Sequence, residues 1–290
     1  MAFEHRNAII MAAGTSSRFV PLSLEIPKGL LEVKGEILIE RQISQLREAG
    51  INDITVVTGY MAERFEYLKD QFGVETVINE DFYRYNNTSS IIRVLDRLDN
   101  TFICSADNYF LSNVFTETSE CSYYSALYSD GPTDEYCINT DEKGNIISVS
   151  VGGHDSWYMI GPAYFNSEFS NAFKGILESA YSLEETKQGY WEDVYIKYID
   201  KLPRLQIRKY SNHEIEEFDS IDELRTFDSS YVENTRSSIV GFISNILHCK
   251  ESDLSGFKKI PGHDIASEFS FTKGGERYFF DCQTKKLEKK

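Results

Sequence analysis

The stretch that decides the fold reads Asn7-Ala-Ile-Ile-Met-Ala-Ala-Gly-Thr-Ser-Ser-Arg-Phe-Val-Pro21. Its first six residues form a short apolar run, which predicts a buried strand. The small residues around Gly14 then predict a turn that leaves this strand. Backbone N–H groups in such a loop can approach an anion or a base closely, because little side-chain bulk stands in the way.

Strand-like and helical periods alternate over the first hundred residues. Apolar spacing predicts helices over 37–49, 62–72 and 88–98, the last with Asn87 or Thr88 as its cap. Apolar and β-branched runs predict strands at 53–58, 74–78 and 101–106, the last of which delivers Asp107. Such alternation predicts parallel strands with helical crossovers, and ligands bind beyond the carboxyl ends of those strands.

After residue 123 the regular alternation of strand and helix patterns ends. Turn signals within 123–165 predict short strands and loops of a mixed sheet, followed by helices over 167–181 and 190–199 and a strand over 205–210. Beyond residue 231 we expect one helix and a hairpin over 269–280 that turns at Gly274-Gly275. The predicted fold class is α/β, with a Rossmann-like, mostly parallel mixed sheet flanked by helices. This sheet belongs to a domain over 1–230, and a small α+β appendage follows over 231–290.

Composition excludes several classes of protein. The 290 residues carry a net charge of −16, which argues against a nucleic-acid binder and against docking on anionic membranes. No apolar stretch near the start is long enough for a membrane-spanning helix. The five cysteines are far apart and form no C-x-x-C pair, so neither a disulfide framework nor a zinc site is indicated. We expect a cytoplasmic protein.

Two cations follow the first predicted strand. Arg18 can contact a phosphate with two parallel hydrogen bonds, and Lys28 follows the stiffening Pro27. The alternative is a tight turn with two solvated cations. The chain contains neither a Walker A loop nor the second and third glycines of a dinucleotide fingerprint.

The segment from Met11 through Arg18 and Pro21 to the Pro27-Lys28 pair resembles the opening signature of the nucleoside-triphosphate transferase family. That signature is A-A-G-x-G-[ST]-R followed by P-K, and here Ser16 replaces its second glycine. Within the family the chain looks most like the bacterial CTP:phosphocholine cytidylyltransferases. The supporting pieces run in family order over residues 7–228: Glu48–Ile54, Thr58–Tyr60, Tyr85–Asn87, Ser105–Tyr109, Tyr190–Asp193 and Phe218–Ser220.

The resemblance implies a nucleotidyltransferase fold and a Mg²⁺-dependent cytidylyltransferase that joins CTP and phosphocholine to give CDP-choline and pyrophosphate. It assigns Arg18 to the β- and γ-phosphates, and Lys28 to the α-phosphate and the attacking phosphate. Asp107 is then a catalytic residue and a metal ligand, and Asp219 is the second metal ligand. Either acid could instead be a turn or cap residue, although Ser220 could equally be the cap and leave Asp219 free.

Two further sets of residues follow from the resemblance. The nucleotide-binding set is Ala12, Ala13, Gly14, Thr15, Ser16, Gly59, Asn87, Ser89 and Ala106. The choline set joins aromatic faces, which attract a quaternary ammonium, with carboxylates. Its members are Tyr136, Tyr190, Trp191, Glu192 and Asp193. The alternative for Trp191 is a place in the core.

The appendage resembles the beginning of a choline-kinase small lobe. It ends before any H-x-D or D-F-G motif, so we expect no kinase activity. It is either a fusion remnant that packs or forms a homodimer, or part of a chain cut short. The expected partners are CTP and phosphocholine, with no nucleic acid and no membrane insertion. Two other functions stay open: a transferase for phosphoethanolamine, an inositol phosphate or a sugar-1-phosphate, and a catalytically silent nucleotide-binding regulator.

Overall fold

The computed structural model describes residues 5–116, 120–260 and 267–289. Its strands are β1 (Asn7–Ala12), β2 (Glu32–Val33), β3 (Glu36–Ile37), β4 (Asp53–Thr58), β5 (Glu75–Ile78), β6 (Thr101–Ser105), β7 (Asn108–Phe110), β8 (Tyr123–Thr140), β9 (Ile146–Phe165), β10 (Gln206–Lys209), β11 (Ile215–Glu217), β12 (Leu254–Lys259), β13 (Glu268–Lys273), β14 (Glu276–Asp281) and β15 (Lys286–Lys289). Its helices are α1 (Leu38–Glu48), α2 (Tyr67–Phe72), α3 (Thr88–Ile92), α4 (Ser167–Ala180), α5 (Glu184–Gln188), α6 (Trp191–Lys197), α7 (Ile221–Phe227), α8 (Ser230–Glu233) and α9 (Ser238–Ile246). No helix in these described ranges is long and apolar enough to cross a bilayer.

The chain divides into two units. Unit 1 comprises Met1–Gly14 and Glu40–Glu216, and unit 2 comprises Thr15–Ile39 and Glu217–Lys290. The predicted boundary between residues 230 and 231 coincides with none of the three positions at which the chain passes from one unit to the other. Residues 15–39 and 217–230, which we expected in the domain over 1–230, pack with residues of the expected appendage over 231–290.

A seven-stranded mixed sheet forms the centre of unit 1, in the order β10-β8-β9-β6-β1-β4-β5. Strands β6, β1, β4 and β5 are parallel, and β9 runs antiparallel to both β6 and β8. This confirms the predicted fold class. Because β4, β1 and β6 are adjacent and parallel, their carboxyl ends lie at one edge of the sheet.

Helical periodicity explains how the flanking helices bury one face. In α4, Phe169, Phe173 and Leu177 recur every four residues and are fully buried. The helix begins where the Asn166 side chain accepts a hydrogen bond of 2.9 Å from the amide of Phe169. The predicted helix over 167–181 is thus confirmed, and so are the predicted strands at 7–12 and 53–58.

The prediction of several short strands within 123–165 is wrong. Two long strands of 18 and 20 residues, β8 and β9, occupy this region. The turn signal at Gly131 lies inside β8, where φ is +99° and the pairing register shifts between Ser129 and Pro132. It therefore marks a bulge rather than a chain reversal. The second turn signal, around Gly144, does join the two strands, and Asp141 accepts hydrogen bonds from the amides there.

Unit 2 contains a four-stranded antiparallel sheet in the order β12-β13-β14-β15. The predicted hairpin is confirmed: Lys273 pairs with Glu276, and Gly274 and Gly275 both have positive φ, as a two-residue hairpin turn requires. The predicted helix beyond residue 231 is α9. The likeness of this region to a kinase small lobe stays a prediction.

A buried arginine joins residues on both sides of position 230 within unit 2. Arg225, on α7, is 10% exposed and donates hydrogen bonds to the carbonyl oxygens of Tyr231, Glu251 and Leu254 at 3.2, 2.8 and 2.6 Å. Asp222 lies 3.3 Å from the same guanidinium. Residues before and after 230 therefore stabilise each other.

We expect Arg225→Met to lower the free energy of unfolding by about 2–4 kcal/mol, because three partly buried carbonyls lose a charged donor. Chemical denaturation followed by circular dichroism measures this loss. Arg277→Met in the exposed part of β14 is the matched control and should change stability by no more than about 0.5 kcal/mol. Equal effects of the two substitutions would contradict the role given to Arg225.

Candidate active site

The predicted site residues fall in both units. In unit 1, Ala13, Gly59 and Ala106 directly follow the carboxyl ends of β1, β4 and β6. The amide of Tyr60 donates to the Ala13 carbonyl at 3.1 Å, and the amide of Ala106 donates to the Met11 carbonyl at 3.0 Å. The structure therefore brings these three segments together at one sheet edge, as predicted.

Gly59 is needed there for a close approach of backbone. A Cβ atom at this position would lie 2.9 Å from the Ala13 carbonyl oxygen and 2.8 Å from Cβ of Phe82. Neither distance is tolerable, so the loop after β4 could not hold its place beside the loop after β1. This gives Gly59 a steric role in shaping the predicted nucleotide loop.

Two other members of the predicted nucleotide set, Ser89 and Asn87, form side-chain hydrogen bonds within the protein. Ser89 is fully buried, its hydroxyl donates to the Asn86 carbonyl at 2.7 Å, and it accepts from the Asn79 amide at 2.8 Å. The enclosed hydroxyl already has two partners within the protein, and a nucleotide contact by Ser89 stays a prediction. Asn87 was predicted as a helix cap or a nucleotide contact; its side chain makes no cap hydrogen bond. Ala106 is 4% exposed and Ala12 is 9% exposed, so backbone is what they can offer.

Asn87 instead links α3 to the beginning of α6. Its side-chain oxygen accepts from the Trp191 amide at 2.8 Å, and its Nδ2 donates to Glu192 at 3.4 Å. The neighbouring Thr88 hydroxyl donates to the Gly189 carbonyl at 2.7 Å. The segment beside the predicted nucleotide loop is thereby tied to the segment that carries the predicted choline residues.

Trp191 lies in the hydrophobic core. Its ring is 2% exposed, stacks on Tyr124 at a centroid distance of 5.7 Å and packs edge-on against Phe165. Because other aromatic rings cover it, the Trp191 ring offers no open face to a choline group. This corrects the prediction for Trp191, for which the core alternative holds.

The remaining choline candidates form what we call the aromatic–acidic cluster: Tyr136, Tyr190, Glu192 and Asp193. The Tyr136 hydroxyl donates to Asp193 Oδ1 at 2.8 Å, and Asp193 Oδ2 accepts from the Tyr190 amide at 2.8 Å. The two tyrosine rings meet edge to face at 6.4 Å, and Tyr190 is 44% exposed. Burial and the hydrogen bond to Asp193 raise the pKa of Tyr136, so its hydroxyl stays protonated.

Glu192 has the most unusual acidity in this cluster. It accepts from the Tyr124 hydroxyl at 3.0 Å, and Asn87 donates to its other oxygen. Burial is the main cause that raises its pKa to about 7, and the negative charge of Asp193 adds to this effect. A carboxyl group of this kind gains a proton easily when no positive charge lies nearby.

Asp107 lies in unit 1, in the turn after β6, whereas unit 2 holds Thr15, Ser16, Arg18, Lys28 and Asp219. The loop after β1 continues through Thr15 and Ser16, and Ser16 has a φ of +48°, a conformation that favours glycine. This explains why glycine stands at this position in the signature that the sequence resembles. The side chains of Phe19 and Val20 are buried and anchor the loop. The Arg18 side chain next to them is 73% exposed.

Four charged side chains meet in unit 2. Arg18 Nη1 lies 2.7 Å from Asp219 Oδ2, and Lys28 Nζ lies 3.5 Å from both Asp219 Oδ1 and Glu217 Oε1. The Lys28 side chain is only 5% exposed, so its charge needs these carboxylates. The exposed pair of Arg18 and Asp219 contributes little, and Arg18 can exchange this partner for a phosphate at low cost.

The Ser220 alternative is confirmed. Ser220 Oγ accepts from the Glu223 amide at 3.2 Å and caps α7, while the Asp219 carboxylate pairs with the cations. Glu217 is a member of this charged group that sequence reasoning missed, although it directly precedes the quoted segment Phe218–Ser220. The signal was its spacing: on an extended segment, residues 217 and 219 point to the same side.

Several known proteins are similar to this chain in sequence. The MobA-like NTP transferase domain family matches residues 8–119. A 2-aminoethylphosphonate cytidylyltransferase from Lancefieldella rimae is 36% identical over 81% of this chain and 96% of its own length. A choline-phosphate cytidylyltransferase from Streptococcus pneumoniae is 31% identical over 75% of this chain and 95% of its own length.

The chain belongs to the NTP transferase family. A solved structure of CTP:phosphocholine cytidylyltransferase from S. pneumoniae superposes with a TM-score of 0.75 at 30% identity, covering 78% of this chain and 99% of that one. The protein is therefore a nucleotidyltransferase. The predicted resemblance and fold are confirmed, with the antiparallel sheet of unit 2 as an addition at the C-terminus.

We expect Gly59→Ala to lower the free energy of unfolding by about 1–3 kcal/mol, because the new methyl group overlaps the Ala13 carbonyl and Phe82. Thermal and chemical denaturation measure the change. Gly14→Ala is the matched control, since a Cβ there meets nothing within 4 Å. A stability loss as large in the control as in Gly59→Ala would refute the steric role.

We expect the stability of the wild type, measured relative to Glu192→Gln, to fall as pH rises from about 4.5 to about 7. In this window the folded protein keeps the Glu192 proton and the unfolded chain has lost it, so each rise in pH favours unfolding. The total loss should be about 1–3 kcal/mol. Urea denaturation at several pH values measures it, with Glu178→Gln on the exposed face of α4 as the control, and a flat difference between wild type and Glu192→Gln would contradict the raised pKa.

Proposed function

We propose that the protein is a cytidylyltransferase that transfers the CMP unit of CTP to a small phosphate ester with a cationic head group, with choline phosphate as the first candidate. Relatives named as cytidylyltransferases align over three quarters or more of the chain and support the nucleotide part of this proposal. The observation that carries the acceptor part is the aromatic–acidic cluster of unit 1.

A quaternary ammonium cannot donate a strong hydrogen bond, so proteins bind it with aromatic faces and nearby negative charge. The exposed Tyr190 ring and the Tyr136 ring supply the faces, and the Asp193 carboxylate supplies the charge. Asp193 also holds the Tyr136 hydroxyl and the Tyr190 backbone amide through its two oxygens, which orders this segment before a ligand binds. Trp191 has no part in this cluster.

In the transfer, an oxygen of the acceptor phosphate attacks the α-phosphorus of CTP. A new P–O bond forms, the bond from the α-phosphorus to the bridging oxygen breaks, and pyrophosphate leaves with that electron pair. Because the acceptor is already an anion, no general base is needed. The protein mainly positions the groups and balances their charge. In this proposal Arg18 holds the β- and γ-phosphates, and Lys28 contacts the α-phosphate and the attacking phosphate.

Mg²⁺ stays a prediction for this protein, with Asp107 and Asp219 as its ligands. Both are carboxylates, the hard oxygen donors that Mg²⁺ prefers, so the donor chemistry fits. In unit 2 the Asp219 oxygens already face Arg18 and Lys28, so a metal would compete with these cations for them. When bound, Mg²⁺ would neutralise phosphate charge as the leaving group departs.

A second acceptor is favoured by a specific observation. The relative from L. rimae, which is 36% identical over most of this chain, is named for 2-aminoethylphosphonate. That compound carries a primary ammonium, which donates hydrogen bonds that Glu192 and Asp193 could accept. Both candidates share a cationic head and an anionic phosphorus group. The cytoplasmic location and a homodimer through residues 231–290 stay predictions.

We expect pyrophosphate release with CTP and Mg²⁺ to be fastest with choline phosphate, then 2-aminoethylphosphonate, and slow with phosphoethanolamine, inositol phosphate and glucose-1-phosphate. Tyr190→Ala should raise KM for choline phosphate about tenfold without raising KM for CTP, since a cation–π contact contributes about 1–2 kcal/mol. The coupled assay for pyrophosphate measures both.

Tyr83→Ala is the control for the aromatic substitution, because Tyr83 is 69% exposed and lies outside the cluster. Faster release with 2-aminoethylphosphonate would assign the second acceptor. Fastest release with a sugar phosphate and UTP would replace the proposal. CTP binding without turnover on any acceptor would identify a silent nucleotide-binding protein.

A further inference from the structure

Asp107 occupies the second position of a two-residue turn between β6 and β7. The direction of its carboxylate therefore depends on the path of the backbone from Ser105 to Asn108. One side of this turn is tied to β1, because the Ala106 amide donates to the Met11 carbonyl at 3.0 Å. The carbonyl groups on either side of the turn need a second support.

Gln42, on α1, provides this support. Its Nε2 donates to the carbonyl oxygens of Ser105 and Asn108 at 2.7 and 3.1 Å, which are the carbonyls directly before and after the Ala106-Asp107 pair. Since both partners are acceptors, only the NH₂ end of the amide can face them, and this fixes the orientation of the side chain. Gln42 is 1% exposed, so water cannot replace it.

Neighbouring side chains on α1 act farther along the chain. Arg41 donates to the Phe110 carbonyl, and Gln45 Nε2 donates to the carbonyls of Phe110 and Ser112 at 3.2 and 3.4 Å. Gln45 is 6% exposed and so resembles Gln42 in burial and chemistry. It differs in its target, since none of its carbonyl partners flanks Asp107.

We propose that Gln42 is a positioning residue that holds the Asp107 turn in the shape that nucleotidyl transfer requires. This inference rests on the proposed role of Asp107 in that reaction. A buried amide with two donors suits the task, because it bridges both ends of the turn with one rigid group. A glutamine on an amphipathic helix is expected to face solvent, so the sequence pattern of α1 does not predict that Gln42 is buried and supports the Asp107 turn.

The test compares Gln42→Met with Gln45→Met, two nearly isosteric substitutions that each remove two hydrogen bonds to carbonyl groups. Asp107→Asn serves as the reference for a lost carboxylate. We expect Gln42→Met to lower kcat about 10–100-fold, as misplaced groups commonly do, with KM for CTP unchanged. Gln45→Met should lose similar thermal stability and keep its kcat.

Hydrogen exchange of the peptide covering residues 101–110 gives a readout that is independent of turnover. Gln42→Met should speed exchange in the Asp107 turn, and Gln45→Met should affect the segment beyond it. If Gln42→Met does not fold, Gln42→Ala is measured in the same way. Equal losses of kcat in the two glutamine variants, or faster exchange of the turn with kcat unchanged, would overturn the proposal.

The same experiments separate this inference from the proposed function. No transfer by the wild type with any acceptor would refute the proposed function. Exchange in the turn would then still decide whether Gln42 holds it, and unchanged exchange in Gln42→Met would refute that role.

Discussion

A lysine ammonium buried beside two carboxylates is the interaction on which the arrangement of unit 2 depends. Lys28 is almost completely enclosed, and a buried charge without partners would cost several kcal/mol. Glu217 and Asp219 meet this requirement from a segment nearly two hundred residues later in the chain. Residues 15–39 must therefore fold together with the C-terminal part.

The same arrangement suits a protein of net charge −16 that handles phosphates. Overall charge repels such ligands, so attraction must come from a few local cations. Arg18 is exposed and weakly held by Asp219, whereas Lys28 is enclosed and strongly held. One cation can therefore move with a ligand, and the other stays fixed.

In unit 1, the loops at the edge of the parallel sheet are held by buried side chains and close backbone contacts. Gln42 holds the turn after β6, and Asn87 holds the beginning of α6. Gly59 lets the loops after β1 and β4 approach each other. Gln42 Nε2 donates to two carbonyl oxygens, and Asn87 joins a backbone amide to a carboxylate, so each side chain is held in a single position.

Local pattern determined a large part of the fold. Strands β1 and β4, helix α4 and the hairpin at Gly274-Gly275 depend on neighbours within about ten residues, so periodicity and turn chemistry were sufficient to predict them. The order of the motifs along the chain also indicated the family and supplied the candidate site residues. Asp219 could be separated from its cap alternative because Ser220 was an adjacent competitor.

Only the tertiary structure decided the environment of each side chain. Trp191 and Ser89 look like binding residues in the sequence, yet contacts from distant strands and turns enclose them. Gln42 and Glu217 look like ordinary surface polar residues, yet they support the Asp107 turn and Lys28. The unbroken length of β8 and β9 likewise depends on pairing across the hairpin. The burial and the hydrogen-bond partners of these side chains depend on residues far away in the chain. The local sequence pattern does not show which distant segments will be in contact.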